Sequence, residues 1–188
     1  MTINKNIIKH LVLTLIITVG VSFISCDFDR EENDNNLFNS EIVNDRVKTN
    51  IEEAKVLSDI VVLNKTIIGL SQLSAERSTI YSVKTISNKL IKDNTEINKS
   101  LNDLAYKKLI LLPNSLDKKE IKELNEIDKT DFSKAYLSKV KELLESEIMQ
   151  LEYLSNITSD IDFKVLAAKI LVKLDYNLNQ INKIIKKN

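Results

Sequence analysis

The sequence predicts an all-α protein: an antiparallel four-helix bundle, with a short extra helix between the second and third long helices. Helix-breaking residues are scarce, since the 188-residue chain contains two glycines and one proline. From Glu41 onward, apolar residues recur at spacings of three and four, which is the period of one face of an α-helix. No strand-like alternation of apolar and polar residues persists in this region. We therefore expect residues 41–188 to form one helical domain, large enough to bury a single core.

The first two long helices are predicted over residues 41–75 and 78–111, where the chain reaches Pro113 and Asn114. The apolar stripe of the first helix contains Ala54, Leu57, Val61 and Ile68. The stripe of the second contains Val83, Ile86, Leu90, Ile97, Leu101 and Leu104. Stripes of this kind predict helices that bury one face against their neighbours.

Capping residues mark the starts of the remaining helices. Asp117 with Glu120 three residues later is typical of a capping box, which would open a short helix ending near Ile127. Thr130 is the expected cap of the third long helix, and Ser159 gives a weaker start signal for the fourth. Their apolar stripes contain Tyr136, Val140, Leu143, Leu144, Leu151 and Leu154, then Phe163, Leu166, Ile170, Leu174, Leu178, Ile181 and Ile185. Short connections between such helices favour antiparallel packing.

The first 25 residues have the parts of a secretory signal. Lys5 and Lys9 give a basic start, an apolar run covers residues 11–24, and the small residue Ser25 follows. The apolar run is shorter than the roughly 20 residues that an ordinary membrane-spanning helix needs. Residues 1–25 are therefore predicted to be a signal peptide that is removed.

Cys26, the only cysteine, gives this signal its type. The tetrad Phe23, Ile24, Ser25 and Cys26 resembles a lipobox, at which signal peptidase II cleaves before a cysteine that carries diacylglycerol. We predict a lipoprotein signal and membrane attachment through lipidated Cys26, since several acyl chains hold a protein stably on a bilayer. Two alternatives are an uncleaved membrane anchor and an ordinary signal in which the cysteine occurs by chance.

Residues 26–40 are predicted to be an acidic, disordered tether, because they contain several carboxylates and little to bury. A solvated linker is the simpler interpretation. The alternative is a sorting signal, since acidic residues after the lipidated cysteine resemble the surface-export signals of some bacterial lipoproteins, whereas in other systems Asp27 would retain the protein at the inner membrane. The predicted location is the cell envelope, with a lipid anchor in the outer membrane, on either its periplasmic or its outer surface.

Cleavage before Cys26 would remove His10, the only histidine, and lipidation would consume the only thiol. This excludes Cys–His and Ser–His–Asp catalysis, proton transfer by imidazole, and metal binding by histidine or cysteine. Removing Lys5 and Lys9 from the 27 basic residues leaves 25 basic against 27 acidic residues, which gives no electrostatic basis for binding nucleic acid. The sequence therefore predicts a protein that is not an enzyme and has no cofactor.

A few polar residues fall within the apolar stripes, near the middle of each long helix. These residues are Lys65, Asn94, Glu147 and Asn177, and antiparallel packing could bring them into one central polar cluster. A buried Glu147 needs a partner, and Lys65 is the candidate counter-ion. Alternatively, the amides set the register of the bundle and the charged pair extends to the surface. A single carboxylate is a poor metal site, so no metal is expected.

Residues 60–70 are apolar nearly all round, which indicates a partner surface. Leu63 and Ile67 could form a contact with an envelope protein or with a second copy of the chain. The alternative is ordinary burial beneath the short helix that follows Pro113.

Several segments resemble a known family. They are Lys92–Asn94, then Leu101, Leu104, Ala105, Leu112 and Pro113, then Phe132 and Tyr136, then residues 166–178. From Asp59 to Ile184 the chain resembles the bacterial domain of unknown function 4142, whose members are often labelled outer membrane proteins. The resemblance implies a ferritin-like four-helix bundle. It also implies a degenerate centre, because the family pattern has histidines where this chain has Asn94, Leu144 and Asn177.

These observations predict a cell-envelope lipoprotein with a non-enzymatic structural or binding role. The alternative is a ferritin-like stress protein that binds a small ligand or a metal at a modified central site.

Overall fold

The computed structural model describes residues 36–187, with side chains from Val43 onward. The predicted signal peptide, Cys26 and residues 26–35 of the tether lie outside the described residues. Residues 42–188 form one compact unit, which contains the bundle. The helices of the described part of the chain are α1 (Asn36–Arg77), α2 (Tyr81–Lys107), α3 (Lys118–Glu126), α4 (Phe132–Ile157) and α5 (Ile161–Lys187). Over the described range the chain is all-helical, as predicted.

Hydrogen bonds between helices give the direction in which neighbours run. In three pairs of helices, the residue number rises on one helix as it falls on the other, so the helices of each of these pairs are antiparallel. The contacts are Asn64–Asn94 and Ser74–Ser87 for α1 with α2, Asn64–Glu147 and Ser78–Ser133 for α1 with α4, and Asp93–Asn177 and Lys108–Asp160 for α2 with α5. Since α2 and α4 are both antiparallel to α1, they run parallel to each other.

The parallel arrangement of α2 and α4 explains the long connection between them. Residues 108–131 return along the bundle, and α3 lies within this connection. Gly69 of α1 leaves room for it, since a Cβ at Gly69 would lie 2.6 Å from Ile121 Cδ1. On the other side, Lys139 of α4 pairs with Glu120 of α3 at 2.9 Å. The short helix α3 thus contacts both α1 and α4.

The interpretation of residues 60–70 as a partner surface is wrong. Ile67 is fully buried and Leu63 is partly buried. The connection covers this segment, because Thr66 Oγ1 accepts a hydrogen bond of 2.8 Å from the backbone N–H of Asp117. Burial beneath the chain after Pro113 accounts for the apolar character of the segment. Association with an envelope protein or a second copy of the chain stays a prediction, but residues 60–70 do not provide the contact surface.

All five helices contribute to one core. Its largest fully buried side chains include Leu57 and Ile67 of α1, Leu90 and Leu101 of α2, Phe132, Tyr136 and Leu144 of α4, and Leu174 of α5, while α3 adds Leu124. The predicted stripes supply most of this core. Six of their members lie at its margin, since five are half-buried and Ile185 is exposed; the half-buried ones are Ala54, Ile68, Leu143, Leu166 and Leu178. Residues 42–188 therefore have the apolar core that a self-contained folding unit requires.

The predicted start of α3 is confirmed, whereas the predicted cap of α4 is not. Asp117 Oδ1 accepts hydrogen bonds from the N–H groups of Lys119 (2.9 Å) and Glu120 (3.3 Å), as predicted. The capping box is incomplete, because the Glu120 carboxylate pairs with Lys139 instead. Asp131, not Thr130, precedes α4, and its side chain makes no capping hydrogen bond.

The two largest differences from the predicted helix boundaries are at the start of α1 and the end of α2. α1 begins at Asn36, inside the predicted tether, because no glycine or proline in residues 36–41 stops the helix from extending. α2 ends at Lys107 rather than near residue 111, because Leu109 adopts a left-handed backbone with φ of 58°. Ile110 N–H then bonds to the Ala105 carbonyl at 2.8 Å, and Leu109 N–H bonds to the Tyr106 carbonyl at 3.2 Å. This is a Schellman motif with leucine at the position that glycine usually occupies.

One helix in the described part of the chain, Val43–Arg77, is long and apolar enough to cross a membrane by length and composition. Half of its apolar window is buried inside the protein. The same test is met by core helices of proteins that do not span membranes, so this finding is weakly compatible with an envelope location.

Candidate functional site

A polar layer crosses the centre of the bundle. Asn64 of α1, Asn94 of α2 and Glu147 of α4 are fully buried within the apolar core. Asn64 Nδ2 donates to Asn94 Oδ1 at 2.8 Å and, over a longer distance of 3.4 Å, to Glu147 Oε1. Asn94 Nδ2 donates in turn to the Leu90 carbonyl one turn earlier, at 2.9 Å. One amide thus links three helices.

Glu147 lies in this layer without a cation. Its only hydrogen-bond donor among the described side chains is Asn64. Burial removes the water that would stabilise the carboxylate and raises the pKa of Glu147 to about 8, although the hydrogen bond from Asn64 opposes the rise. The side chain is therefore mostly a neutral acid at pH 7, which is how a buried carboxyl group without a counter-ion avoids an uncompensated charge.

Asn177 of α5 is also fully buried, and it forms a second polar contact beside the first. Asn177 Nδ2 donates to Asp93 Oδ2 at 2.9 Å, and the same oxygen pairs with Lys89 one turn earlier on α2. Burial would raise the pKa of Asp93, but the hydrogen bonds from Lys89 and Asn177 outweigh burial and hold it below its ordinary value. Asp93 is thus ionised where Glu147 is neutral.

Lys65 is not part of the central cluster, and its expected role as counter-ion of Glu147 is wrong. Lys65 Nζ donates to the Pro113 carbonyl at 2.8 Å and to Asn114 Oδ1 at 3.3 Å. The residue lies at the edge of the α1 stripe, and its long side chain reaches the connection that covers this helix. Of the four predicted site residues, Asn94 and Glu147 share Asn64 as a partner, while Asn177 joins the neighbouring Asp93.

Three oxygen atoms of these polar groups have no hydrogen-bond partner within the described part of the chain. They are Asn64 Oδ1, Glu147 Oε2 and Asn177 Oδ1, and all three are buried. A buried polar atom without a partner costs about 1–3 kcal/mol. Unsatisfied groups of this kind call for an explanation, such as a water, an ion or a role in function.

Sequence reasoning missed Asn64 and Asp93. Asn64 follows Val61 by three residues and precedes Ile68 by four, so it falls on the same stripe, and this spacing could have identified it. Asp93 gave no comparable signal, because it lies beside the stripe of α2. Its burial depends on the approach of Asn177 from α5.

A second polar layer lies nearer one end of the bundle and consists of hydroxyl groups. Tyr136 Oη lies 3.0 Å from Ser71 Oγ, and Ser87 Oγ donates to Ser74 Oγ at 2.9 Å. Burial raises the pKa of Tyr136 to about 12, with hydrogen bonds from serines opposing the rise. The tyrosine is therefore a neutral hydroxyl at pH 7 that ties α4 to α1.

The chemistry available to this centre is limited. Across residues 43–187, no group of three or more histidine, cysteine, aspartate or glutamate side chains is arranged to hold a metal ion. Glu147 can hold a proton, and the amides can donate and accept hydrogen bonds. The arrangement supports register specification and the binding of a small polar species better than it supports proton transfer to a substrate.

The model of a family described as "Domain of unknown function (DUF4142)" matches residues 41–184. No curated protein and no solved structure matches the chain. The ferritin-like character of the bundle and the family histidines therefore stay predictions.

Proposed function

Because the chain belongs to the DUF4142 family, whose description assigns no activity, we propose that it is a cell-envelope lipoprotein with a non-enzymatic structural or binding role. The observation that carries this proposal is the order of residues 1–26. A basic start with Lys5 and Lys9 precedes an apolar run, and the run ends at the only cysteine of the chain, Cys26. Lipid on this cysteine would hold the bundle at a membrane surface, with the outer membrane as the proposed location.

The centre of the bundle supports a role without catalysis. The buried polar groups there are amides, the neutral acid Glu147 and the paired carboxylate of Asp93. Cleavage before Cys26 would leave a chain without histidine or free thiol. A buried polar layer of this composition favours one alignment of the helices, because only that alignment lets the amides meet their partners.

The proposed anchor is tested by fractionating cells that express the full chain, either wild type or Cys26→Ser, and comparing the inner and outer membranes. We expect the wild-type protein in the outer-membrane fraction and loss of that association in the variant. A Ser25→Ala variant is the control, since it retains the cysteine and keeps a small residue before it. Equal membrane association of the wild-type and Cys26→Ser proteins would contradict the proposal.

A second candidate function is a ferritin-like protein that binds a small ligand or a metal at a modified central site. The three buried oxygens without partners, on Asn64, Glu147 and Asn177, favour it, because oxygen ligands suit hard cations. A single carboxylate and two amides are a weak ligand set, which is why this candidate ranks second.

Metal analysis by mass spectrometry on the chain from Asp27 onward separates the two candidates, together with thermal unfolding with divalent ions or chelator. The second candidate requires close to one metal ion per chain and a rise in melting temperature that Glu147→Gln removes and Glu152→Gln, at an exposed position of the same helix, does not. Absence of bound metal and of any shift would eliminate its metal-binding form.

A further inference from the structure

A cavity of about 740 Å³ opens at one end of the bundle, far along the helices from the central polar layer. It lies where α2 and α4 begin and α5 ends. Its lining includes Ile80, residues 130–141 in part, and residues near the end of α5. The volume falls within the roughly 300–1,000 Å³ of ordinary ligand pockets. Neither the family match nor the proposed anchor assigns a role to it.

The walls of the cavity combine apolar and cationic groups. Ile80, Leu137 and Ile185 supply apolar surface, and Ile80 and Ile185 expose more than a third of their surface to solvent. Three lysines, Lys134, Lys141 and Lys186, also line the cavity. A hydrocarbon chain can pack on the apolar part of this wall, and an anionic group can pair with its lysines.

Most of the positive charge that lines the cavity is not paired with a carboxylate among the described residues. Lys134 and Lys186 have no ion pair with any described side chain, whereas Lys141 pairs with Glu145 at 3.1 Å. Among the described residues of the lining, Asp131 is the one carboxylate, against three ammonium groups. The imbalance favours an anion. Two positive helix ends, those of α2 and α4, and one negative end, that of α5, lie at the cavity, so the helix dipoles favour an anion as well.

We propose that this cavity binds a single-chain anionic amphiphile. Its phosphate or carboxylate head pairs with Lys134 and Lys186, and its hydrocarbon chain packs on Leu137, Ile80 and Ile185. This inference deepens the proposed binding role by naming the ligand class, and it rests on that role. A fatty acid and a lipid-derived phosphate share this chemistry, and both are constituents of the envelope in which the protein is proposed to reside.

Isothermal titration calorimetry on the chain from Asp27 onward, which contains the whole compact unit, tests the proposal. The probes are dodecanoate and dodecyl phosphate below their critical micelle concentrations, inorganic phosphate, and the uncharged dodecyl maltoside. We expect saturable binding of one or both anionic amphiphiles near one per chain. Tighter binding of dodecanoate indicates a fatty acid as ligand, and tighter binding of dodecyl phosphate indicates a lipid-derived phosphate.

Variants separate the roles of charge and apolar surface. Lys134→Glu with Lys186→Glu should weaken amphiphile binding at least about tenfold, because two attractive charges become repulsive. The matched control is Lys99→Glu with Lys164→Glu, which makes the same charge change at exposed positions away from the cavity and should leave the affinity unchanged. Ile185→Asn, at a partly exposed position, should reduce the affinity for dodecanoate without unfolding the protein.

Three results would overturn the proposal: no saturable binding of either anionic amphiphile, equal affinities for the two double variants, or binding of dodecyl maltoside as tight as that of dodecanoate. Inorganic phosphate binding as tightly as dodecyl phosphate would also overturn it, since the apolar wall would then contribute nothing. The chain used here lacks Cys26, so this result does not depend on lipidation. Failure of the anchor and failure of the cavity are therefore separate outcomes.

Discussion

At the scale of single residues, Glu147 is the most consequential side chain of the bundle. It is fully buried, and among the described side chains it has one neutral hydrogen-bond donor and no cation, so the protein holds it mostly as a neutral acid. Ionisation in the folded state would place an uncompensated charge in the core. The pH at which the fold weakens should therefore depend on this one group.

The stability of the fold should fall as the pH rises through the range in which unfolded chains lose the Glu147 proton. The unfolded state releases it near 4.5, whereas the folded state keeps it up to about 8. Between these values the folded state binds more protons, so the free energy of unfolding decreases with rising pH. The stabilisation that protonated Glu147 contributes to the fold is fully present below pH 4.5 and is lost by about pH 8.

Glu147→Gln should remove this dependence. The difference in unfolding free energy between wild type and variant, measured by denaturant titration at pH 4.5 and pH 8, should change by on the order of 3–4 kcal/mol in favour of the variant. Glu152→Gln, one and a half turns along α4 and exposed, is the control and should change little. A difference that is the same at both pH values would show that Glu147 ionises normally in the folded protein.

The residue scale also shows how far a helical wheel can predict a site. The wheel placed Asn94, Glu147 and Asn177 inside the bundle, and all three are fully buried. It could not give their partners, because Asn64 and Asp93 become partners only when separate helices pack together. The wheel also gave Lys65 the wrong partner, since the direction of a long flexible side chain is set by its tertiary neighbours, here Pro113.

At the scale of helices, the end of α2 stores local strain. Leu109 is the one non-glycine residue with positive φ in the described range, and its side chain is 93% exposed. A left-handed conformation costs a residue with a Cβ about 1–2 kcal/mol. No burial of the leucine side chain offsets this cost.

Leu109→Gly should therefore stabilise the protein by about 0.5–1 kcal/mol, since relief of the strain exceeds the added entropy of a glycine in the unfolded chain. Thermal or denaturant unfolding measures the change. Leu111→Gly is a matched control, because Leu111 is equally exposed at 96% but has no positive φ, and it should give no stabilisation. Equal effects of the two substitutions would mean that the backbone at Leu109 is not strained.

The elements themselves were predictable and some of their ends were not. Four long helices and one short helix follow from the apolar period and from the scarcity of glycine and proline, and the aspartate cap at Asp117 follows from its own chemistry. The end of α2 could not be predicted, because a leucine in the sequence gives no indication of a left-handed backbone conformation. Likewise, the apolar residues 60–70 suggested a surface until the connection after Pro113 was seen to cover them.

At the scale of the whole molecule, the helical bundle and the proposed lipid anchor occupy different parts of the chain. The bundle has its own core within residues 42–188, and the proposed lipid attachment point at Cys26 precedes it in the chain. Neither the core nor the cavity at the end of the bundle requires the lipid in order to form. Anchoring and ligand binding are thus separable properties. The sequence could predict the anchor, but it could not predict the cavity, because the cavity forms only where three helix ends meet.

The proposed attachment of this protein to a membrane through lipidated Cys26 can be tested by the mass of its N-terminal peptide. The full chain would be expressed, extracted from membranes and digested, and the N-terminal peptide analysed by mass spectrometry. We predict a peptide that begins at Cys26 and carries diacylglycerol on its sulfur, with or without a further acyl chain on its amino group. A peptide containing unmodified Cys26, or a mature chain that begins elsewhere, would contradict the claim.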